Sequence, residues 1–175
     1  MKTLSIALIA MATALAGCET MDEMGGDTVG EASLVTADGA SAGTARLLES
    51  GTDMNVAVTL TGISPGTHGV HLHTTGSCQA PDFTSAGGHL NPTSREHGFE
   101  NPQGSHLGDL PNAMLDASGS GSVSFTLQGS REELISQLFD ADGTAVVVHA
   151  TADDYQTDPS GNSGGRVACG VLVPS

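Results

Sequence analysis

The sequence predicts an all-β fold, an antiparallel sandwich or barrel, on three observations. Short runs alternate apolar and polar residues with period two, Gly, Pro, Asn and Asp punctuate them, and no helices intervene between the runs. The first two runs lie near Glu31 to Ala37 and Ala42 to Leu48. In the third, Met54, Val56, Val58 and Leu60 interleave with Asn55, Ala57 and Thr59, the pattern of a half-buried strand. Runs at Val70 to Thr74 and Asn112 to Leu115 follow, and then Val123, Phe125 and Leu127 alternate with Ser122, Ser124 and Thr126 across Gly121 to Leu127. Ala145 to Ala150 and Val167 to Val173 complete the eight strands. One helical turn is expected at Ser130-Arg131-Glu132-Glu133, a capping box ahead of Leu134, Ile135 and Leu138, and it reads as a connector.

Two segments carry no such pattern. Thr75 to Pro111 is rich in Gly, Pro, Asn and Ser, and a loop of that length inside a compact domain has to be functional or clamped. It contains three histidines, Cys78 and Asp109, groups through which a metal or a disulfide can clamp it. A shorter loop of the same character runs from Thr151 to Gly165.

The chain has 175 residues, a length suited to one domain, with 20 acidic residues against 5 basic ones and a formal charge of −15. Nucleic acid is excluded as a partner, because a phosphate backbone needs clustered Lys and Arg and stacked bases need aromatic platforms. An anionic membrane surface repels such a chain, so any membrane attachment must be hydrophobic. Of its residues 38% are hydrophobic, mostly small aliphatics, with no Trp, four Phe and one Tyr. A core so short of bulky anchors calls for other staples.

Residues 1–17 carry one Lys followed by an apolar run ending in small residues, the layout of a secretory signal too short for a comfortable span. Leu15-Ala16-Gly17-Cys18 resembles the lipobox of bacterial lipoproteins, which implies a lipid on Cys18 as the first mature residue. An ordinary cleaved signal with a coincidental Cys is the competing reading, and it leaves an odd thiol in an oxidising compartment. With Cys18 lipidated, Cys78 and Cys169 remain as a single pair, expected to form a disulfide. Removing the signal removes Lys2, the only lysine, and leaves a charge of −16. Residues 18–30 read as a flexible acidic tether and 31–175 as the folded domain. The expected location is the bacterial cell envelope, with the lipid in the outer membrane and the domain in the periplasm. Glu19 stands where an Asp would signal inner-membrane retention in enteric-type sorting.

The seven histidines are more informative by position than by number. His71 and His73, two apart on a strand, point to one face, as two ligands of one metal must. His68 has the opposite parity and reads as a structural histidine bonded to backbone in a turn. His149 ends an apolar strand and can meet the first pair from another strand. In the long loop His89, His97 and His106 precede Asp109, and three imidazoles with one carboxylate fit a closed four-coordinate zinc site. The nitrogen donors His71, His73 and His149 suit copper better than calcium or magnesium, which prefer oxygen.

The runs His68-Gly-Val-His-Leu-His73, Ala86-Gly-Gly-His-Leu-Asn-Pro92, His106-Leu-Gly-Asp-Leu110 and Gly165-Arg-Val-Ala-Cys-Gly170 resemble copper/zinc superoxide dismutase of the secreted bacterial kind. The resemblance covers residues 31–175 with the motifs in order, and implies an eight-stranded Greek-key β-barrel. It implies copper held by His71, His73, His89 and His149, and zinc held by His89, His97, His106 and Asp109, with His89 bridging the two ions. It implies a disulfide between Cys78 and Cys169, an Arg166 that attracts and orients superoxide beside copper, and an Asp153 that links His71 to His97. Monomer and homodimer both remain open.

The activity so implied is dismutation of superoxide to oxygen and hydrogen peroxide, with copper alternately reduced and reoxidised, His89 taking a proton, and zinc structural. Electrostatic steering, of which this family is itself a known example, then meets a difficulty: the substrate is an anion and the domain is acidic. The loop from Thr151 to Gly165 adds Asp153, Asp154 and Asp158, no lysine flanks the site, and Arg95 is the only other candidate for steering. Weaker guidance than in lysine-bearing relatives is the expectation. Two other readings compete: a copper- and zinc-binding envelope lipoprotein without turnover, which has no use for Arg166, and a zinc hydrolase, which needs a vacant zinc position that this ligand set does not leave.

Overall fold

The computed structural model describes residues 25–175. The signal segment, the lipobox with Cys18 and most of the tether lie outside the described residues. Among the described residues nine strands are present: β1 (Asp27–Thr36), β2 (Ser41–Ser50), β3 (Asp53–Leu60), β4 (Gly66–His68), β5 (Val70–His73), β6 (Ala113–Leu115), β7 (Gly121–Leu127), β8 (Thr144–His149) and β9 (Arg166–Pro174). One helix, α1 (Arg131–Leu138), and one 3₁₀ turn, Thr84–Ala86, complete the elements. Seven strands form an antiparallel sheet in the order β5-β8-β9-β1-β2-β3-β7, and β4 pairs with β6. Because β4 runs into β5 at one sheet edge and β6 leads to β7 at the other, the small ladder bridges the two edges and the sheet curls into a barrel.

Alternation drives this arrangement. On β3, Met54, Val56, Val58 and Leu60 are buried while the intervening residues are not, as the period-two pattern requires. The inward residues join Leu34, Leu47, Leu72, Val146 and Val148 in one continuous core. The β7 boundaries match the sequence expectation, and α1 carries the capping box, with Glu133 N–H donating to Ser130 Oγ (3.3 Å) and Ser130 N–H to Glu133 Oε2 (3.1 Å). Two differences stand out. The strand β4, which the alternation did not show, ends at His68 and pairs it with Ala113, where a turn was expected. The first strand begins at Asp27, pairing with Glu49, so regular structure starts inside the segment expected as tether.

The strand β8 is buried along its whole length. Val146 and Val148 enter the main core, while Ala145 and Val147 face outward and pack with Phe83, Ala86 and Cys169 in a second, small cluster. The long loop after β5 supplies that cover. In the pairing of β8 with β5, His71 stands opposite Val147 and His73 opposite Ala145, so both histidines, with His149, share the covered outer face. Among the described residues no helix is long and apolar enough to cross a membrane.

Candidate metal centre

Three backbone segments fix where the side chains stand. Leu90 N–H donates to Leu72 O (2.8 Å), Leu72 N–H to Gly108 O (2.8 Å) and Gly108 N–H to Leu90 O (2.9 Å). The long loop therefore lays two of its stretches against β5, with His89 bridging to His73 and Asp109 to His71. Gly108 has to be glycine, since a Cβ there would overlap Leu72 O.

Asp109 is the hub of one donor set. Its Oδ2 accepts from the N–H groups of Gly98 (2.9 Å) and His106 (3.0 Å), which leaves Oδ1 facing Nδ1 of His89, His97 and His106 at 2.9, 3.1 and 3.1 Å. Nδ1 of His106 and His89 are 3.4 Å apart. Four donors around an ion with bonds of about 2.0–2.1 Å stand roughly 3.3 Å from one another, so this spacing suits a tetrahedral ion. Burial opposes the ionised carboxylate, but bonds from His106, His89 and His97 outweigh it and hold Asp109 well below the usual carboxylate range.

The second set comprises His71, His73, His89 and His149. Each ring has one nitrogen already committed. His73 Nδ1 meets Gly87 O (3.0 Å) and His149 Nδ1 meets Gly164 O (3.2 Å), and carbonyls only accept, so both Nδ1 atoms carry the proton. His71 Nε2 meets Asp153 Oδ2 (2.7 Å). The nitrogens left over are His71 Nδ1, His73 Nε2, His89 Nε2 and His149 Nε2, all buried and all without a hydrogen-bond partner. A buried polar atom without a partner is costly; four that come from the same cluster mark a place for a cation. The donor atoms of this set lie within 4.8 Å of one another. Burial pushes His73 down to about 2, His149 to about 3 and His89 to about 4, so these rings are neutral, the form that binds metal.

His89 belongs to both sets, Nδ1 to one and Nε2 to the other. Asp153 joins them from behind, with Oδ2 on His71 and Oδ1 on His97 Nε2 (2.9 Å). For His97 burial favours the neutral ring, yet the carboxylates of Asp109 and Asp153 raise it to about 9. A positive charge is wanted there, as proton or as metal ion. Arg166 donates from Nη1 to Phe83 O and from Nη2 to Gly87 O, both at 2.6 Å, and lines one cavity with His73, His89 and His149. The disulfide between Cys78 and Cys169 anchors the same loop to β9, across a sequence separation of 91.

Sequence and structure thus agree on which ligating residues come together. His68 is outside the cluster, as expected, with both ring nitrogens on backbone carbonyls, His149 O (2.7 Å) and Ser64 O (2.9 Å). Arg95 takes another place: its guanidinium donates to Gly104 O (2.7 Å) and lines a different cavity, between the loop and α1, outside the cavity that Arg166 lines. The acids of the second loop are also not merely repulsive. Asp158 Oδ1 accepts from His97 N–H (2.8 Å), and Asp154 accepts from Gln156, Thr157 and Asn162. These clamps were missed because nothing in the local pattern of an acid separates a long-range acceptor from a solvated charge.

The fold and site define a β-barrel metalloprotein with two adjoining donor sets that share one histidine. Comparison gives the class a name. The model of the family "Copper/zinc superoxide dismutase (SODC)" matches residues 41–172. The Cu-Zn superoxide dismutase 2 of Aquifex aeolicus is 38% identical over 152 residues, covering 83% of this chain and 87% of its own length. The Cu-Zn superoxide dismutase of Caulobacter vibrioides is 40% identical over 143 residues, covering 77% and 80%. Among solved structures, a SOD-like protein from Bacillus subtilis has a TM-score of 0.75 at 38% identity, with 82% of this chain and 97% of that one covered. The Cu/Zn superoxide dismutase from Brucella abortus has a TM-score of 0.63 at 29% identity, covering 81% and 97%. The chain belongs to the copper/zinc superoxide dismutase family. Copper and zinc are accordingly its metals, and the donor chemistry fits both.

Proposed function

We propose that this protein dismutes superoxide, with copper held by His71, His73, His89 and His149 and zinc by His89, His97, His106 and Asp109. The observation that carries the assignment is the set of four buried, unpartnered nitrogens, one from each residue of the copper set. The other set, three Nδ1 atoms around one carboxylate oxygen, is closed and suits a structural ion. Copper, when bound, supplies alternating one-electron oxidation and reduction, so that one superoxide leaves as oxygen and the next, with two protons, as hydrogen peroxide.

The chain's own residues do the rest. Arg166 holds a fixed positive charge in the cavity, its two terminal nitrogens tied to carbonyls so that it cannot swing away. His89 lines the same cavity, and its buried, unpartnered Nε2 is the atom suited to carry a proton, while its Nδ1 stays with Asp109. Asp153 keeps the Nε2 protons of His71 and His97 in place, so that Nδ1 of each is the free donor. A non-catalytic metal store is less well supported, because storage gives no role to a positive group pinned at the cavity.

The test of the assignment is metal content by site. His149→Ala should lose copper and activity while keeping zinc; loss of zinc with copper retained would reverse the two sets. On the sequence alone we also propose a lipid on Cys18 and an outer-membrane anchor with the domain in the periplasm. Mass analysis of the mature N-terminus tests the lipid.

A further inference from the structure

Asp153 can link His71 to His97 only if its carboxylate is held in one orientation, and one residue of its own loop and one from outside it do this. The first is Tyr155 and the second Asn112. Tyr155 N–H donates to Asp153 Oδ1 (2.6 Å), the oxygen that also meets His97, so Oδ2 is left facing His71. The Tyr155 hydroxyl in turn accepts from Asn112 N–H (2.7 Å). The Asn112 side chain closes the circuit on the Asp153 backbone, donating from Nδ2 to Asp153 O (2.9 Å) and accepting at Oδ1 from Asp153 N–H (2.8 Å). One of these four hydrogen bonds reaches the carboxylate, and the other three tie Tyr155 and the Asp153 backbone to Asn112 across 41 to 43 residues of sequence.

The backbone at Tyr155 is shaped for this. Its φ is 61°, in the left-handed region that a side chain other than glycine or asparagine rarely adopts. Glycine would take that conformation more easily but would bring neither ring nor hydroxyl. The ring packs on Phe99 (centroids 5.6 Å apart) and the carbonyl accepts from Glu100 N–H (3.0 Å), so the same residue also ties the second loop to the histidine-bearing one.

We propose that Tyr155, acting with Asn112, is a positioning residue for the metal pair, aiming the two oxygens of Asp153 at Nε2 of His71 and Nε2 of His97. The proposal rests on the metal assignment above and on Asp153 linking the two sides. By holding those protons, the frame turns Nδ1 of His71 to copper and Nδ1 of His97 to zinc. Removing the hydroxyl disturbs both sides at once, without touching a ligand.

The test uses the full mature protein loaded with copper and zinc, and two readouts: the rate of zinc release into EDTA and the visible absorption of Cu(II). Tyr155→Phe should speed zinc release about tenfold, in the range for groups that orient ligands, and shift the copper band in the direction that Asp153→Asn shifts it. In the Asp153→Asn background, Tyr155→Phe should add nothing. Asn112→Ala, which cuts both bonds to the Asp153 backbone, should reproduce the pair of effects. Phe99→Leu, which touches the ring but no bond of the frame, should move neither. Wild-type values in Tyr155→Phe, an effect that adds in full to that of Asp153→Asn, or an equal effect in Phe99→Leu would each overturn the proposal. If Asp153→Asn itself moves neither readout, the link through Asp153 fails first and the frame falls with it.

Discussion

Arg166 is the residue on which substrate approach most depends. It is one of four arginines in the chain, no lysine lies among the described residues, and Arg95 and Arg131 are engaged elsewhere, the latter with Glu49 at 2.7 Å. Arg166→Gln should lower kcat/KM on the order of tenfold with copper content unchanged, since a focused charge acts on encounter; stopped-flow decay of superoxide reads this. A second single-residue prediction concerns Gly161. Its φ is +62°, and a Cβ there would overlap both Asp153 Oδ1 and His97 Nε2. Gly161→Ala should therefore weaken zinc binding by roughly 10–100-fold, the usual cost of disturbing a group that orients a ligand, as measured by competition with a chelator. At this scale the sequence was informative where chemistry is rare: histidines and cysteines are few enough that spacing singles them out, and Arg166 was marked by the family resemblance. It was silent on Tyr155, Asn112 and Asp158, whose residue types are common in loops and whose partners lie far along the chain.

Elements divide in the same way. The strand β7 could be read to its boundaries because Val123, Phe125 and Leu127 alternate without interruption. The strand β4 could not, because Gly66-Thr-His is three residues long, holds no aliphatic side chain, and is separated from β5 by Gly69. Its partner β6 alone completes it, a fact of the folded barrel and not of local sequence. The long loop is held by backbone pairing to β5, by the metal ligands and by the disulfide, in place of a core of its own. Within the chain-entropy estimate, a crosslink spanning 91 residues contributes about 4–5 kcal/mol. The double variant Cys78→Ser and Cys169→Ser should lose stability of that order, seen as a lower urea midpoint at unchanged slope. It should also lose activity, because Arg166 takes its two carbonyl anchors from the loop the disulfide secures. A variant of wild-type stability would show that the metals alone secure the loop.

The whole molecule sets acidity against an anionic substrate. With Arg95 turned to another cavity, the activity should fall less steeply with ionic strength than in relatives whose active-site loops carry lysines; an equally steep fall would show a guiding field that these residues do not supply. Acidity also interacts with the unloaded centre. In the metal-free protein His73, His89 and His149 have folded values depressed from 6.5 to about 2, 4 and 3, so the unfolded chain binds more protons and stability drops as pH falls below about 6.5. His97, raised to about 9, contributes stability that is full below 6.5 and lost as pH rises through 9. Together these four groups place the maximum near pH 7, where the unfolded chain and the folded one bind equal numbers of protons on them, and zinc and copper should flatten the profile by taking the protons' places; melting temperatures with and without metal read this. What the reading of this chain stands on above all is that its dismutation is copper chemistry in a site built by four histidines. Stripping both metals and restoring them separately, with superoxide decay as the readout, decides it. Zinc alone should restore no activity, and copper with zinc, one of each per chain, should restore it fully. Activity in the copper-free protein would contradict it.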